Sequence, residues 1–125
     1  VSGVKLLVAN VHAINFVSTA AYSREIKQIV KRLKRHKGPI LLAGDFNTWT
    51  SDRLKILVSL VKKKVGLKEI KIPEEYRKTS FNLVLDHVFV RGLKVNKIQV
   101  LNSKINSSDH KPLSFSLIIS RPGYR

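Results

Sequence analysis

Apolar residues change their spacing along the chain, and the spacing predicts which segments form strands and helices. Residues 4–11 (VKLLVANV) and residues 40–43 (ILLA) are short continuous apolar runs, which are typical of strands buried on both faces. Between them, residues 20–37 place apolar side chains at positions i, i+3, i+4 and i+7, which predicts an amphipathic helix terminated by Gly38 and Pro39. A strand, a helix and a strand with short connections form a βαβ unit, so we expect these two strands to be parallel.

The rest of the pattern predicts one more helix and a series of short strands. Ser51 and Asp52 form an N-cap signal, and apolar residues at helical spacing follow it, so we expect a helix over residues 51–65. Strand-like stretches, separated by glycine, asparagine and proline, then come at residues 68–72, 79–81, 86–90, 94–101 and 113–119. The predicted fold class is α/β in one domain, with a parallel pair of strands first and a mostly antiparallel series after it.

The composition adds a strong positive charge to this picture. The chain has 24 Lys and Arg against eight Asp and Glu, which gives a formal charge of +16 in 125 residues. Such a charge can serve solubility, bind a polyanion by displacing its counterions, or bind an anionic membrane surface, and the charge alone does not choose among these. The absence of cysteine excludes disulfides, thiolate metal sites and cysteine nucleophiles. No apolar run is long enough for a transmembrane segment, and we expect a cytoplasmic location.

Three of the eight acidic residues call for a special explanation. The other five fall in the first turns of predicted helices or in polar segments, where a carboxylate is unremarkable. Asp45 closes one buried strand, Asp86 opens another, and Asp109 precedes the last strand. A carboxylate beside a buried strand is costly unless it is paired, hydrogen-bonded or bound to a metal. Each alone could be a turn-forming aspartate, but the three together indicate a functional site.

Histidine and asparagine residues accompany these carboxylates. His12 ends the first strand with Asn10 two residues before it, Asn47 follows the carboxylate of the second strand, and His110 directly follows an aspartate. A histidine beside one aspartate, with a second to orient its other ring nitrogen, suits proton transfer or phosphate binding. His87 should point to the face opposite its neighbouring aspartate, as part of the core or of a pocket wall. These residue types fit metal-assisted hydrolysis of a phosphoester.

Three motifs in chain order, ILLAGDFNTW, LDHVFVRGL and SSDHKPLSFSLII, resemble the endonuclease/exonuclease/phosphatase superfamily, which has the deoxyribonuclease-I-like fold. Within it, the chain is similar to the bacterial YafD-like proteins, and VANVHAINF is similar to the family strand that carries an N-x-H element. The resemblance implies a four-layer α/β sandwich made of two similar halves. No segment here matches the asparagine and metal-binding glutamate of the first half. We therefore expect residues 1–120 to be the C-terminal half, a mixed sheet with two helices on one face, and residues 121–125 to be a loose tail.

The resemblance also implies a role for each residue of the predicted site. Asp45 would orient or activate the attacking water, and Asn47 would bond to the scissile phosphate or to that water. His110 would contact the phosphate as a proton donor or a fixed cation, with its ring held by Asp86. Asp109 would lie at the metal or in its water shell.

The first strand and the cofactor complete the implied site. His12 would be a second phosphate-facing histidine, and Asn10 would add a phosphate contact. The implied cofactor is Mg²⁺ or Mn²⁺, bound at a partial site by Asp109 and Asp45 because the main glutamate ligand has no match here. The expected activity is a divalent-metal-dependent, nuclease-like phosphodiester hydrolysis that is weak or absent in this chain alone. A phosphatase acting on anionic lipid headgroups and a non-catalytic, basic nucleic-acid-binding module remain as alternatives, although the three carboxylates disfavour the last.

The predicted layers also suggest partners. Two helices can cover only one face of the sheet, so the other face should expose a large apolar patch. We expect the chain to pair through this face, either with a missing N-terminal half or as a homodimer. The expected substrate is a nucleic acid or another phosphodiester polyanion, because the charge is strongly positive.

Overall fold

The computed structural model describes residues 3–13, 17–71, 85–100 and 113–120. The elements in chain order are β1 (Leu7–His12), α1 (Thr19–Leu33), β2 (Ile40–Asp45), α2 (Ser51–Val65), β3 (Lys68–Glu69), β4 (Asp86–Arg91), β5 (Leu93–Val100) and β6 (Leu113–Ile119). The strand predicted at residues 79–81 and the tail at 121–125 lie outside the described residues. In the described part of the chain, no helix is long and apolar enough to cross a membrane.

Most element boundaries agree with the spacing of the apolar residues, and the differences lie at element ends. The predicted bounds of α2 and β6 are confirmed. The N-cap of α2 is Thr50 rather than the predicted Ser51, because its side chain accepts a hydrogen bond from the backbone N–H of Arg53 at 3.2 Å. Helix α1 ends at Leu33, the last position of its apolar stripe. The basic residues after it were predicted to be helical, and they lie outside the helix. Strand β3 is shorter than its predicted range, with only two residues.

Four strands form a mixed sheet in the order β1-β2-β4-β3. Strands β1 and β2 are parallel, as the βαβ pattern predicts, with Leu7 opposite Ile40. Strand β4 is antiparallel to both of its neighbours, β2 and β3. Strands β5 and β6 form a separate antiparallel pair. The α/β class and the mixed sheet are therefore confirmed.

Both helices pack on one face of the four-stranded sheet and form the larger core. Alternate residues of β2, Ile40 and Leu42, face this core together with Phe89 of β4. The fully enclosed side chains of this core include Tyr22 and Ile26 from α1. Among the described residues, the buried members of this core are Ala13, Tyr22, Ile26, Val30, Leu33, Ile40, Leu42, Phe46, Leu57, Val61, Val65, Leu67 and Phe89.

The opposite face of the sheet is covered in part by the second sheet. Val88 and Val90 of β4 are buried there, and side chains from β5 and β6, among them Val95 and Leu117, pack against them. The premise of a bare face is therefore wrong, because it counted only the helices as cover. At Gly92, which has a φ of 68°, the chain leaves the first sheet instead of extending it. Val8 at the β1 edge remains 60% exposed, and pairing through this face stays a prediction.

Candidate active site

A row of polar side chains crosses three strands at one end of the sheet. His12 is the cross-strand partner of Asp45, and Asp45 is the partner of Asp86. Cross-strand partners share a face of the sheet, so the three side chains lie side by side, on the face opposite the helices. The Nε2 atom of His12 lies 3.8 Å from Oδ2 of Asp45. We call His12, Asp45 and Asp86 the polar row.

The rest of this face is apolar apart from two residues. Asn10 lies one step behind the row, opposite Ala43, which in turn pairs with Val88. Asn10 is exposed and shares its face with His12. The next step back joins Val8, Leu41 and Val90, and ends at Lys68 on the far edge strand. The carboxylates and the histidine on this face are thus confined to the strand ends.

The two carboxylate oxygens of Asp45 have different surroundings. Oδ1 accepts a hydrogen bond from the backbone N–H of Asn47 at 2.9 Å. Oδ2 is the atom that approaches His12, whose side chain is 81% exposed. One oxygen therefore fixes the orientation of the carboxylate, while the other faces the exposed side of the row.

Asn47 fixes the loop that follows β2. Its φ of 49° is in the left-handed region, which asparagine tolerates better than most residues. The residue is buried, and its side-chain amide donates a hydrogen bond to the carbonyl of Ala13, just beyond β1. Asn47 therefore ties the ends of the two strands together and orients Asp45. Its predicted bond to a phosphate or water stays a prediction.

Gly44 allows β1 and β2 to approach closely just before the polar row. Its φ is 149°, and a Cβ atom at this position would lie 1.9 Å from the carbonyl oxygen of Val11. No side chain can be accommodated against backbone at that distance, so the motif requires glycine here. This contact explains the glycine of the GDFN motif in structural terms.

Arg53 and Tyr22 support the same loop from the helix side, and the sequence reading missed both. Arg53 is buried and donates to the carbonyls of Asn47 at 3.1 Å and Val17 at 2.7 Å. Its guanidinium carbon lies 4.9 Å from the ring centre of Tyr22, whose hydroxyl donates to the carbonyl of Phe46 at 2.7 Å. Burial raises the pKa of Tyr22 far above its ordinary value, and the nearby Arg53 charge offsets this only in part. Arg53 could have been found from its position, since it is four residues before the buried Leu57 on the same helix stripe.

A second hydrogen-bonded chain reaches the loop through His87. The ring is buried among aromatic side chains, and its Nδ1 lies 2.7 Å from Oε1 of Glu69. Its Nε2 lies 2.8 Å from the hydroxyl oxygen of Thr48. The carboxylate can only accept, so Nδ1 carries the proton. The predicted orientation of His87, away from Asp86, agrees with these contacts, and of the two predicted environments, core or pocket wall, the structure shows the core. The sequence reading assigned no role to Glu69, because its partner is distant in the chain.

The described residues provide only part of a metal site. Within them, no group of three or more His, Cys, Asp or Glu side chains is placed to hold a metal ion. Asp45 and Asp86 supply oxygen ligands of the kind that Mg²⁺ prefers, on adjacent strands. Asp109 and His110 lie outside the described residues. The metal-binding role of Asp109 and the phosphate contact of His110 therefore stay predictions.

Sequence and structure comparisons identify proteins that resemble this chain. The profile of the Endonuclease/Exonuclease/phosphatase family matches residues 2–110. The chain is 42% identical over 122 residues to a UPF0294 protein of Vibrio campbellii, and the alignment covers 95% of this chain and 42% of that protein. It is 37% identical over 109 residues to a UPF0294 protein of Erwinia tasmaniensis, and that alignment covers 86% of this chain and 40% of that protein. The chain thus spans about two fifths of the length of these curated relatives.

A solved structure supports the fold. A protein from Enterococcus faecalis V583, described as functionally unknown and conserved, superposes with a TM-score of 0.59 and 21% sequence identity. The match covers 89% of this chain and 49% of that one. At this identity the likeness shows the fold alone, and it is consistent with an α/β sandwich.

Proposed function

Because this chain belongs to the endonuclease/exonuclease/phosphatase family, we propose that it supplies part of the active site of a divalent-metal-dependent phosphodiester hydrolase. The observation that carries the proposal is the in-register alignment of the polar row, His12, Asp45 and Asp86, at the strand ends. Members of this family are generally hydrolytic. A group of carboxylates and a histidine at the end of a largely apolar sheet face suits that chemistry.

In this proposal, Asp45 acts on the attacking water. The backbone N–H of Asn47 holds Oδ1, which leaves Oδ2 to accept a proton as the water oxygen bonds to phosphorus. The bond from phosphorus to the leaving oxygen then breaks, and that oxygen needs a proton. His110, with its ring held by Asp86, donates this proton. His12 and Asn10 bind the phosphate oxygens from the β1 side.

A divalent cation would stabilise the negative charge that develops on the phosphate oxygens. Asp109 and Asp45 would hold Mg²⁺ or Mn²⁺ by their carboxylate oxygens, which have the right chemistry for hard cations. The ligands offered by this chain are few, and the chain spans about two fifths of the length of its relatives. We therefore expect weak metal binding and weak activity from the chain alone.

The charge of +16 favours a phosphate-rich substrate, and a nucleic acid is the first candidate. A phosphatase acting on anionic lipid headgroups is the second candidate, since such headgroups carry the same phosphate chemistry. A purely binding module has no need of the polar row, so it is the least favoured.

A substrate panel tests this proposal. Plasmid DNA, DNA with an abasic site, RNA and phosphoinositide vesicles are each incubated with Mg²⁺, with Mn²⁺ or with EDTA. The panel is run on this chain and on any longer protein that contains it. We expect cleavage of at least one phosphodiester substrate, which EDTA abolishes. Equal cleavage in EDTA, or no cleavage of any substrate by the folded longer protein, contradicts the proposal.

A further inference from the structure

We propose that a groove between α1 and α2 binds the phosphate backbone of a nucleic acid, at a site separate from the polar row. The groove has a volume of about 270 Å³. Four lysines and two apolar residues line it. We call it the lysine groove, and it is lined by Lys27, Val30, Lys31, Lys34, Leu60 and Lys64.

The helical spacing brings the four lysines together. Lys27, Lys31 and Lys34 recur at i, i+4 and i+7 along one side of α1 and its C-terminal cap. Lys64 comes from the last turn of α2 and faces them across the groove. Like charges at these spacings repel one another, so the arrangement costs stability when no anion is present. Among the described residues, none of the four forms an ion pair.

Stabilisation of the helix ends accounts for Lys31, Lys34 and Lys64 but not for the whole arrangement. Lysine is favourable in the last turn of a helix, but Lys27 lies before the last turn of α1. The last carbonyl of α2, that of Val65, accepts a hydrogen bond from Arg91 at 2.9 Å, and Arg91 also donates to His36 at 2.7 Å and Gly38 at 2.8 Å in the loop after α1. A bound anion would relieve the repulsion among the lysines, and this is the reason to infer one.

The shape of the groove favours a nucleic-acid backbone over a membrane. Lys27 and Lys34 are seven residues apart, which is about 10 Å along a helix axis. This length is enough for lysines at its two ends to contact about two neighbouring phosphates of one strand. The lysines line a depression between two helices, which a protruding phosphate backbone can enter, whereas a flat bilayer surface would meet only its rim. Lysines contact phosphates without reading bases, so the binding should be independent of sequence.

The position of the groove makes it independent of the proposed catalysis. It lies in the helix layer, whereas the polar row lies on the opposite face of the sheet. It is also at the other end, because Lys34 follows the end of α1 next to the start of β2, and Asp45 is at the end of β2. The groove would therefore hold a second segment of nucleic acid and does not depend on hydrolysis at the row.

A pair of charge-matched variants tests the inference. The groove variant carries Lys27→Gln, Lys31→Gln, Lys34→Gln and Lys64→Gln. The control variant carries Lys55→Gln, Lys63→Gln, Lys94→Gln and Lys97→Gln, at exposed sites outside the groove. Both lower the formal charge of +16 by four. Binding of a short fluorescent DNA duplex is followed by anisotropy in EDTA, so that hydrolysis cannot interfere, and circular dichroism confirms that each variant is folded.

We expect the groove variant to lose at least about tenfold in affinity at low salt, and the slope of log K against log salt to fall by about two. The control variant should keep most of the affinity and slope. Equal losses in the two variants, no loss in the groove variant, or no duplex binding by the unmodified chain overturns the inference. Loss of binding to phosphatidylserine vesicles with unchanged duplex binding also overturns it, in favour of a membrane site. If the groove variant does not fold, the single changes Lys27→Gln and Lys55→Gln are compared in the same assay, with the same ranking expected.

Discussion

The two faces of the four-stranded sheet are built from alternate residues of the same strands but serve different purposes. On the helix side, Leu42 and Phe89 are almost completely enclosed. On the other side, Leu41 and Ala43 of β2 are only partly buried and Asp45 ends the strand, while Val88 and Val90 of β4 are buried against the second sheet. The strand alternation thus separates an enclosed face from a partly covered face that presents polar groups at its strand ends.

The two faces are nevertheless connected through the loop after β2. The carbonyls of this loop accept hydrogen bonds from Arg53 and Tyr22, both on the helix side. The Thr48 hydroxyl is joined to the buried His87 ring. The enclosed face therefore holds the loop in place, and the loop orients Asp45 on the exposed face. Substitutions on the helix side should lower stability, and substitutions in the polar row should lower activity. Substitutions in the loop after β2 should affect both.

The largest stability difference is expected between two neighbouring leucines. Leu42→Ala removes a fully enclosed side chain of the helix-side core and should lower the free energy of unfolding by about 2–5 kcal/mol. Leu41→Ala, on the partly covered face, should cost clearly less, because part of its surface is already in contact with water. Urea denaturation of both variants measures the two losses. Equal losses would remove the distinction between the two faces.

The connection is tested at Thr48. Thr48→Val removes the hydroxyl and leaves Nε2 of the buried His87 ring without this partner, which should cost about 1–3 kcal/mol. The loop that orients Asp45 should also loosen, so metal-dependent cleavage should slow at temperatures where the protein is still folded. Thr48→Ser keeps the hydroxyl and is the matched control. Denaturation and cleavage are measured on both variants, and indistinguishable behaviour of Val and Ser would show that the hydrogen bond has no positioning role.

The smallest effect is expected at Tyr22. Tyr22→Phe removes one buried hydrogen bond and should cost about 1 kcal/mol at neutral pH. Because burial raises the pKa of Tyr22, the folded protein keeps the phenol proton at a pH where the unfolded chain loses it. The corresponding stability is complete below about pH 10, the ordinary tyrosine pKa, and is lost as the pH rises further. The Phe variant lacks this contribution, so it should lose less stability than the unmodified chain as the pH rises from about 10 to about 11.5. A parallel decline of both proteins over that range would contradict the prediction.

The spacing of apolar residues was enough to predict both helices and the parallel pairing of β1 and β2. The alternation of side chains along a strand was also enough to place His87 on the face opposite Asp86. The separation of β5 and β6 from the first sheet could not be predicted, because alternation along a strand does not say which sheet the strand joins. The chain changes sheets at Gly92, and that backbone turn is visible only in three dimensions.

Within the site, the residues with chemistry at strand ends were found, and the residues that hold them were not. Asp45 stood out because a carboxylate beside a buried strand is costly. Arg53 was missed because a charged residue on a helix is usually exposed, and its burial depends on backbone carbonyls supplied by distant segments. Glu69 was missed because its contact with His87 joins two strands that are 18 residues apart in the sequence.

The hydrolytic role of the polar row is tested most directly by comparing two aspartates. Asp45→Asn keeps the shape of the side chain but removes the charge that would accept the proton, whereas Asp52→Asn removes a charge at the exposed start of α2. Both variants are made in the polypeptide that cleaves in the substrate panel, and the cleavage rate is measured with saturating substrate and Mg²⁺. We predict that Asp45→Asn lowers the rate by at least about 100-fold, while Asp52→Asn leaves it nearly unchanged. Similar rates for the two variants would contradict a hydrolytic role for the polar row.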